Sequence, residues 1–367
     1  MPETPPPPFD HDERPVVAVF RGPVFNASET FVRAQAAGLT RYQPLVIGRE
    51  DKGNIPPELA GRVLLRPAIA RVRDFAPVLV HAHFGTDGLS ALPLARRLGV
   101  PLVTSLRGYD VTRARGPLLR SGRLSWMRYA LRARALQRRG DLFLAVSDAL
   151  RRLAIARGYP AERTLNHYNG VDLARFPAGS GGPDLILFVG RLVEKKGVEI
   201  LIEAFARARA ARPGASLAII GDGPLRPRLE RLAGEGVRFL GALPPGDVAD
   251  WMRRATALAA PSVTARDGDA EGLPNVIVEA AASALPAVGS DHSGIPEAIL
   301  DGETGFIVPE RDAEALAARL AAIVGDPGLR ARMGEAARRL AERRFDFTRQ
   351  MRRLEALYDQ VRAGRCG

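Results

Sequence analysis

Two stretches in the second half of the chain combine charge with backbone freedom in a way that suits an anionic ligand. The first, Phe188-Val-Gly-Arg-Leu-Val-Glu-Lys-Lys-Gly197, is an apolar run that ends on Gly190 and Arg191 and continues into a loop bearing Lys195 and Lys196 ahead of a helical pattern. Ligands of open α/β sheets bind beyond the carboxyl ends of strands, so this loop is expected to face a cleft. Arg191 is suited to gripping phosphate oxygens bidentately, and Lys196 adds a second positive charge; together they neutralise a diphosphate. A merely solvated basic loop would oppose the dipole of the helix it opens. The second stretch, Glu271-Gly-Leu-Pro-Asn-Val-Ile-Val-Glu279, places two glutamates around a turn (Gly272, Leu273, Pro274) and a helix start at Asn275. The amides of Leu273, Asn275 and Val276 are expected to point where an anion or sugar oxygen sits. Glu279, about one turn into the helix, is expected to reach a ribose diol, and Glu271, at the mouth, to accept from sugar hydroxyls. On residue types alone, a solvated Glu271 and a dipole-paired Glu279 stand as the alternative.

Other chemistries fit less well. A retaining glycosidase needs two carboxylates that face each other, whereas Glu271 and Glu279 belong to one motif and no second acid signal opposes them. Asp267-Gly-Asp269 resembles half of a magnesium site. Arg191 and Lys196 already bring the charge a metal would bring, so a mobile loop is expected there, with no metal and no other cofactor.

These residues need a scaffold that presents strand ends. A chain of 367 residues exceeds one ordinary core, and two α/β domains are the natural expectation. Strand candidates in the first half are 15–20, 44–47, 78–81, 101–105 and 141–146, with helical patterns at 29–38, 88–98 and 148–158. In the second half they are 185–189, 216–220, 237–240, 257–260, 287–288 and 305–308, with helices at 198–211, 224–233, 247–254, 275–284 and 313–324. This alternation is the signature of parallel sheets wrapped by helices. The expected organisation is a disordered proline-rich tail (1–14), a first domain (15–175), a Pro/Gly/Ser linker (176–183), a second domain (184–346) and a terminal helical segment (347–367) packing back on the first domain.

The net charge of +12 would ordinarily raise nucleic acid as a partner. Only Lys52, Lys195 and Lys196 are lysines among 53 basic residues, a preference for arginine that no single surface explains. No nucleic-acid module is recognisable, and aromatics are 6% of the chain, so nucleic acid is not expected to be a partner. Between Val111 and Gly140 lie nine arginines and no acid, interleaved with Leu124, Trp126, Met127 and Leu131. That segment reads as a basic amphipathic helix, either covering the sheet or visiting an anionic membrane. No apolar run reaches the roughly 18 residues that span a bilayer, and the first residues lack a signal peptide's apolar core, so a cytoplasmic protein, peripheral at most, is expected. Cys366 has no partner cysteine and no expected role.

The two charged stretches, taken with Gly221-Asp-Gly-Pro224, Asn169-Gly-Val-Asp172 and Gly294-Ile-Pro-Glu297, resemble the family 4 retaining glycosyltransferases. Their fold, GT-B, has two facing Rossmann-like domains with a cleft between them. The resemblance implies a nucleotide-diphosphate sugar as donor and a sugar or lipid-linked sugar as acceptor. It assigns Arg191 and Lys196 to the donor diphosphate, Glu271 to the transferred sugar and Glu279 to the ribose, with the base near Gly221, Gly223, Leu240 and Leu243. In the first domain, Ser28-Glu-Thr-Phe31 after Arg21-Gly22, and His81-Ala-His-Phe-Gly85, are similar to a bacterial exopolysaccharide branch of the family. There Gly22 would admit the donor phosphate to the backbone, and His83 would meet the acceptor. One departure stands out: in Ser105-Leu-Arg-Gly-Tyr-Asp110, Arg107 takes the place of the histidine the family carries before Gly-x-Asp. Arginine does not act as a base. Arg107 and Asp110 are thus expected on the acceptor side, and a silent nucleotide-sugar binding protein is the rival to an enzyme.

Overall fold

The computed structural model describes residues 13–25, 29–179, 181–182 and 184–364. The tail up to residue 12, Ser28, Ser180, Pro183 and Cys366 lie outside the described residues. The chain forms two compact units. Met1–Val146, Arg151–His167 and Thr348–Gly367 compose the first, and Ser147–Leu150 with Tyr168–Phe347 the second.

Each unit is built on a parallel sheet. In the first, the strands lie side by side in the order Val63–Leu65, Gln43–Gly48, Val16–Phe20, Leu79–His83, Leu102–Leu106, Leu142–Ala145, Thr164–Asn166. In the second the order is Val237–Gly241, Ser216–Ile220, Leu185–Val189, Ala257–Ala260, Ala287–Ser290, Gly305–Val308. Both sheets therefore reverse direction of growth beside their first strand, at Val16–Phe20 next to Leu79–His83 and at Leu185–Val189 next to Ala257–Ala260. The crevice at such a reversal, beyond the carboxyl ends, is where doubly wound sheets take ligands. Strands covered by helices on both faces need unbroken apolar runs. Leu185-Ile-Leu-Phe188 is one, and Ile186, Phe188, Leu217 and Ile219 pack with Leu201 and Phe205 of the Val198–Ala211 helix and Leu316 and Leu320 of the Ala313–Gly325 helix. Each such side chain contributes about 1.5–3 kcal/mol relative to exposure.

The terminal helix, Phe347–Arg362, is stitched into the first unit by polar groups as well as by Met351, Leu354 and Leu357. Glu355, fully buried, accepts from the amides of Thr40 and Arg41, both at 2.7 Å, and from the Thr40 hydroxyl at 3.0 Å. Asp359 takes the Tyr42 hydroxyl at 2.6 Å and Arg41 at 2.7 Å. The Tyr358 hydroxyl meets His81 Nδ1 at 2.6 Å.

Two expectations need correction. The chain passes between units at 146/147, 150/151, 167/168 and 347/348, not within 176–183. Residues 168–179 and 181–182 are fastened to the second unit, where Val171 N donates to Phe345 O (2.8 Å), Gly179 N to Ser283 O (3.0 Å) and Gly182 N to Arg254 O (2.6 Å). The basic segment is also not one helix. It divides into Tyr109–Thr112, Arg115–Leu119 and Leu124–Arg139, broken at Gly122, whose φ of +68° lies in the left-handed region. No helix among the described residues is long and apolar enough to cross a membrane.

Candidate functional site

In the second unit, the loops leaving the reversal point are locked to one another through glycine. Gly221 has φ +135°, and a Cβ there would lie 1.9 Å from Gly190 O; a Cβ on Gly223 would lie 2.5 Å from Leu192 O. These glycines thus serve backbone contact between loops. Gly221 N also donates to Gly241 O at 2.7 Å, which sets Leu240 and Leu243, both half-buried, beside them. Gly197, at φ +64°, ends the Glu194–Lys196 turn; a Cβ would meet Pro261 O at 1.9 Å, and Val263 N donates to Lys195 O at 2.8 Å. That contact delivers both lysines to the second charged stretch.

Lys196 Nζ lies 3.2 Å from Glu271 Oε2, and Lys195 Nζ 3.4 Å from Glu271 Oε1 and 3.2 Å from Asp269 Oδ1. Glu271 is 8% exposed, not at a solvated mouth. Burial alone would raise its pKa, but the Lys196 and Lys195 ammonium groups override burial and hold it at about 2. Among the described residues Oε1, though within ion-pair range of Lys195, receives no hydrogen bond, which leaves a charged acceptor open in a dry setting. Asp269, half of the suspected magnesium pair, is paired with Lys195. Arg191 is exposed, and its guanidinium has no partner among the described residues. The structure thus brings Lys196 and Glu271 together and leaves Arg191 free at the strand exit.

Glu279 projects from the Asn275–Ala282 helix, half-buried. Burial pushes its pKa up to about 7, with Arg175 opposing. The folded chain therefore prefers the protonated acid. That preference stabilises fully below the ordinary value of 4.5 and is lost as pH rises through about 7. Glu279→Gln is expected to match wild-type stability near pH 4 and exceed it at pH 8, as checked by denaturant titration at both pH values. Pro274 caps the helix without a side-chain bond, and the amides of Leu273 and Val276 meet no acceptor among the described residues. Asn275 Oδ1 accepts from Asn169 at 2.8 Å. The Gly272 carbonyl is held by Ser147 Oγ (3.0 Å) and Gly294 N (3.1 Å).

In the first unit, Arg21 forms a bidentate pair with Glu29 (2.6 and 2.8 Å) and a third contact with Asp87 (2.5 Å). The Gly22 amide donates to Asp87 at 3.2 Å, and a Cβ on Gly22 would stand 3.1 Å from Asp87 Oδ1. Gly22 thus stands in close contact with Asp87. The Asp110 carboxylate takes the amides of Gly85 (2.8 Å), Gly108 (2.9 Å) and Arg107 (3.1 Å) and so builds the loop. His83 is 1% exposed, and its Nδ1 lies 2.9 Å from Arg107 Nη2. A guanidinium only donates, so neutral His83 carries its proton on Nε2. Burial, with His81 and Arg107 nearby, keeps its pKa well below the usual range. Arg107 also donates to Gln35 (3.0 Å) and stacks over Phe31 (4.1 Å); burial lowers its pKa to about 9. Trp126 is not free for insertion, being stacked on Tyr109 at 4.8 Å with Arg113 and Arg123 over its ring.

Sequence reasoning missed the Arg21–Glu29–Asp87 cluster and the pairing of His292 with Glu310. His292 and Glu310 follow the exits of the Ala287–Ser290 and Gly305–Val308 strands, the signal that had located Arg191.

Residues 172–340 match the family model for glycosyl transferases group 1, and residues 17–175 the model for glycosyltransferase family 4. A colanic acid biosynthesis glycosyltransferase, WcaL of Salmonella typhimurium, is 37% identical over 65% of this chain, which spans 60% of that relative's length. The amylovoran biosynthesis glycosyltransferase AmsK of Erwinia amylovora is 32% identical over 83% of this chain and 82% of its own. Among solved structures, Anabaena HepE in complex with UDP and glucose superposes with a TM-score of 0.77, covering 95% of this chain and 100% of its own at 21% identity.

Proposed function

Because the chain belongs to glycosyltransferase family 4, we propose that it transfers a glycosyl group, with retention and without a metal, from a nucleotide-diphosphate sugar to a sugar or lipid-linked sugar acceptor in surface-polysaccharide assembly. The observation that carries this reading is the cluster at the sheet reversal, where Lys196 pairs with a Glu271 held ionised with one acceptor open, while Arg191, exposed at the same strand exit, has no partner among the described residues. In this reading Arg191 and Lys196 bind the diphosphate and stabilise the charge that develops as it leaves. Glu271 takes hydroxyls of the transferred sugar. Glu279 takes the ribose, so donor affinity rises as pH passes through about 7 and its carboxylate forms. The acceptor attacks from the face the diphosphate leaves, and a leaving phosphate oxygen takes its proton. His83, as a neutral Nε2–H donor, belongs to the acceptor side. The names of WcaL and AmsK, and the UDP and glucose held by HepE, support this assignment.

The test is incubation with UDP- and GDP-sugars and a lipid-linked or oligosaccharide acceptor extract, with and without a strong chelator. An α-configured product from an α-configured donor, formed equally in chelator, is expected. Inversion, or loss that Mg²⁺ or Mn²⁺ restores, overturns the reading. Arg107, in the place of the family's histidine, motivates a second one, a silent nucleotide-sugar binding protein; donor binding with neither transfer nor slow hydrolysis would favour it.

We further propose that the Leu124–Arg139 helix visits anionic membrane from the cytoplasmic side. Leu124 is 79% and Leu131 63% exposed, with Met127 between them and Arg128 and Arg132 alongside, an apolar stripe flanked by cations. Cosedimentation with vesicles containing anionic lipid is expected at low salt and weakened at high salt, since attraction is screened over about 8 Å at physiological ionic strength. A protein that stays in the supernatant at low salt would refute it.

A further inference from the structure

We infer that His292 and Glu310 form a positioning couple that aims the Glu271 carboxylate by holding its own backbone. The inference deepens the donor-site reading and rests on Glu271 being the group that meets the sugar. The Glu271 amide lies 3.1 Å from His292 Nε2. An amide N–H only donates, so Nε2 is bare and the neutral ring carries its proton on Nδ1. That proton is donated to Glu310 Oε1 at 2.6 Å. Glu310 is held in turn: its second oxygen accepts the Thr264 amide at 3.0 Å, and Arg311 donates to the Thr264 carbonyl at 2.7 Å.

The other side of Glu271 is clamped by the residue next to His292, since Ser293 Oγ donates to the Glu271 carbonyl at 2.6 Å. With N–H and C=O of one residue both fixed, the direction of its Cα–Cβ bond is fixed too. The carboxylate is then offered to Lys195 and Lys196 in one orientation. His292 is 3% exposed, so water does not replace a lost acceptor there. Neither His292 nor Glu310 is needed for the charge of the cluster, which the two lysines and Glu271 supply. Their contribution is aim, and a loss of aim is felt in turnover more than in nucleotide binding.

The tautomer is read on the full chain labelled with ¹⁵N-histidine, with His292→Gln used to assign the ring. A bare Nε2 and a protonated Nδ1 are expected, and the opposite tautomer overturns the couple; this readout needs no substrate and stands if another variant fails to fold. In turnover of UDP-glucose or GDP-mannose, His292→Leu and Glu310→Leu are expected to lower kcat about tenfold or more while KM and nucleoside diphosphate affinity stay within about twofold. His292→Gln, which keeps an acceptor for the Glu271 amide and a donor for Glu310, is expected to recover most of the His292→Leu loss. Wild-type kcat in both Leu variants, or equal loss in His292→Leu and His292→Gln, overturns the proposal. Should Glu271→Gln transfer sugar as wild type does, the donor-site reading fails, while the tautomer still reports on the couple.

Discussion

Arg191→Ala is expected to lower turnover by about 10²–10³, the range seen when one preorganised group is removed from a developing negative charge. The melting temperature should not move. Arg191 is exposed and has no partner among the described residues, so truncating it unmakes no contact of the folded chain. Lys196→Ala is expected to be comparably slow but less clean. It takes from the buried Glu271 the nearer of its two ammonium groups and leaves Lys195 alone at 3.4 Å. A fall in stability at low donor concentration would accompany the fall in rate, since a buried charge with half its compensation is costly. Steady-state kinetics with thermal unfolding of both variants separates the two cases. Wild-type turnover in Arg191→Ala would remove the diphosphate assignment.

The largest effect on stability is expected from Glu355→Ala. Two backbone amides and a hydroxyl lose their acceptor at once in a fully buried position, which costs roughly 3 kcal/mol or more. In a unit of this size that corresponds to a drop on the order of 6 °C or more. Two units rarely unfold as one transition, so the shift should be localised by hydrogen exchange. Protection is expected to fall at Thr40 and Arg41 and along the Phe347–Arg362 helix, while the Leu185–Val189 strand keeps its own. Unchanged protection at residues 40 and 41 would show that the helix is held by its apolar side alone.

How much of this was legible depends on burial and on distance along the chain. Leu185–Val189 and Ser216–Ile220 are covered on both faces, and an unbroken apolar run announces such a strand. Val63–Leu65 is a three-residue edge strand, half-exposed at Val63 and Leu64, and offers neither a run nor an alternation. The Pro327–Leu340 helix was missed although Asp326 and Pro327 are a sound start signal, with Asp326 accepting from Leu329 N. Gly328 and Gly334 weaken the pattern. The structure explains Gly334, where a Cβ would stand 2.2 Å from Ala284 O. In the site, Arg191, Lys196, Glu271 and Glu279 could be found because each lies within one local motif at a strand exit or helix start. Arg21 with Asp87, 66 residues apart, and His292 with Glu310 join separate segments, and nothing local records such a pairing. The same limit hid the partners of Gly22 and Asp110, which are Asp87 and the amides of Gly85, Arg107 and Gly108.

The scarcity of lysine has a use of its own. A lysine-specific protease finds only Lys52, Lys195 and Lys196 in the chain. Lys52 is exposed, but the 52 residues before that cut carry the Val16–Phe20 and Gln43–Gly48 strands of the first sheet, so the piece separates only under the denaturing conditions of the gel. Lys195 and Lys196 sit in the Glu194–Lys196 turn, with their side chains engaged by Asp269 and Glu271 and the Lys195 carbonyl taken by Val263. A protease needs an extended, unengaged segment, so cleavage at this turn proceeds only through local opening. Division of the chain near its middle is therefore a clock for how often the turn comes undone, readable on a gel without label, cofactor or substrate.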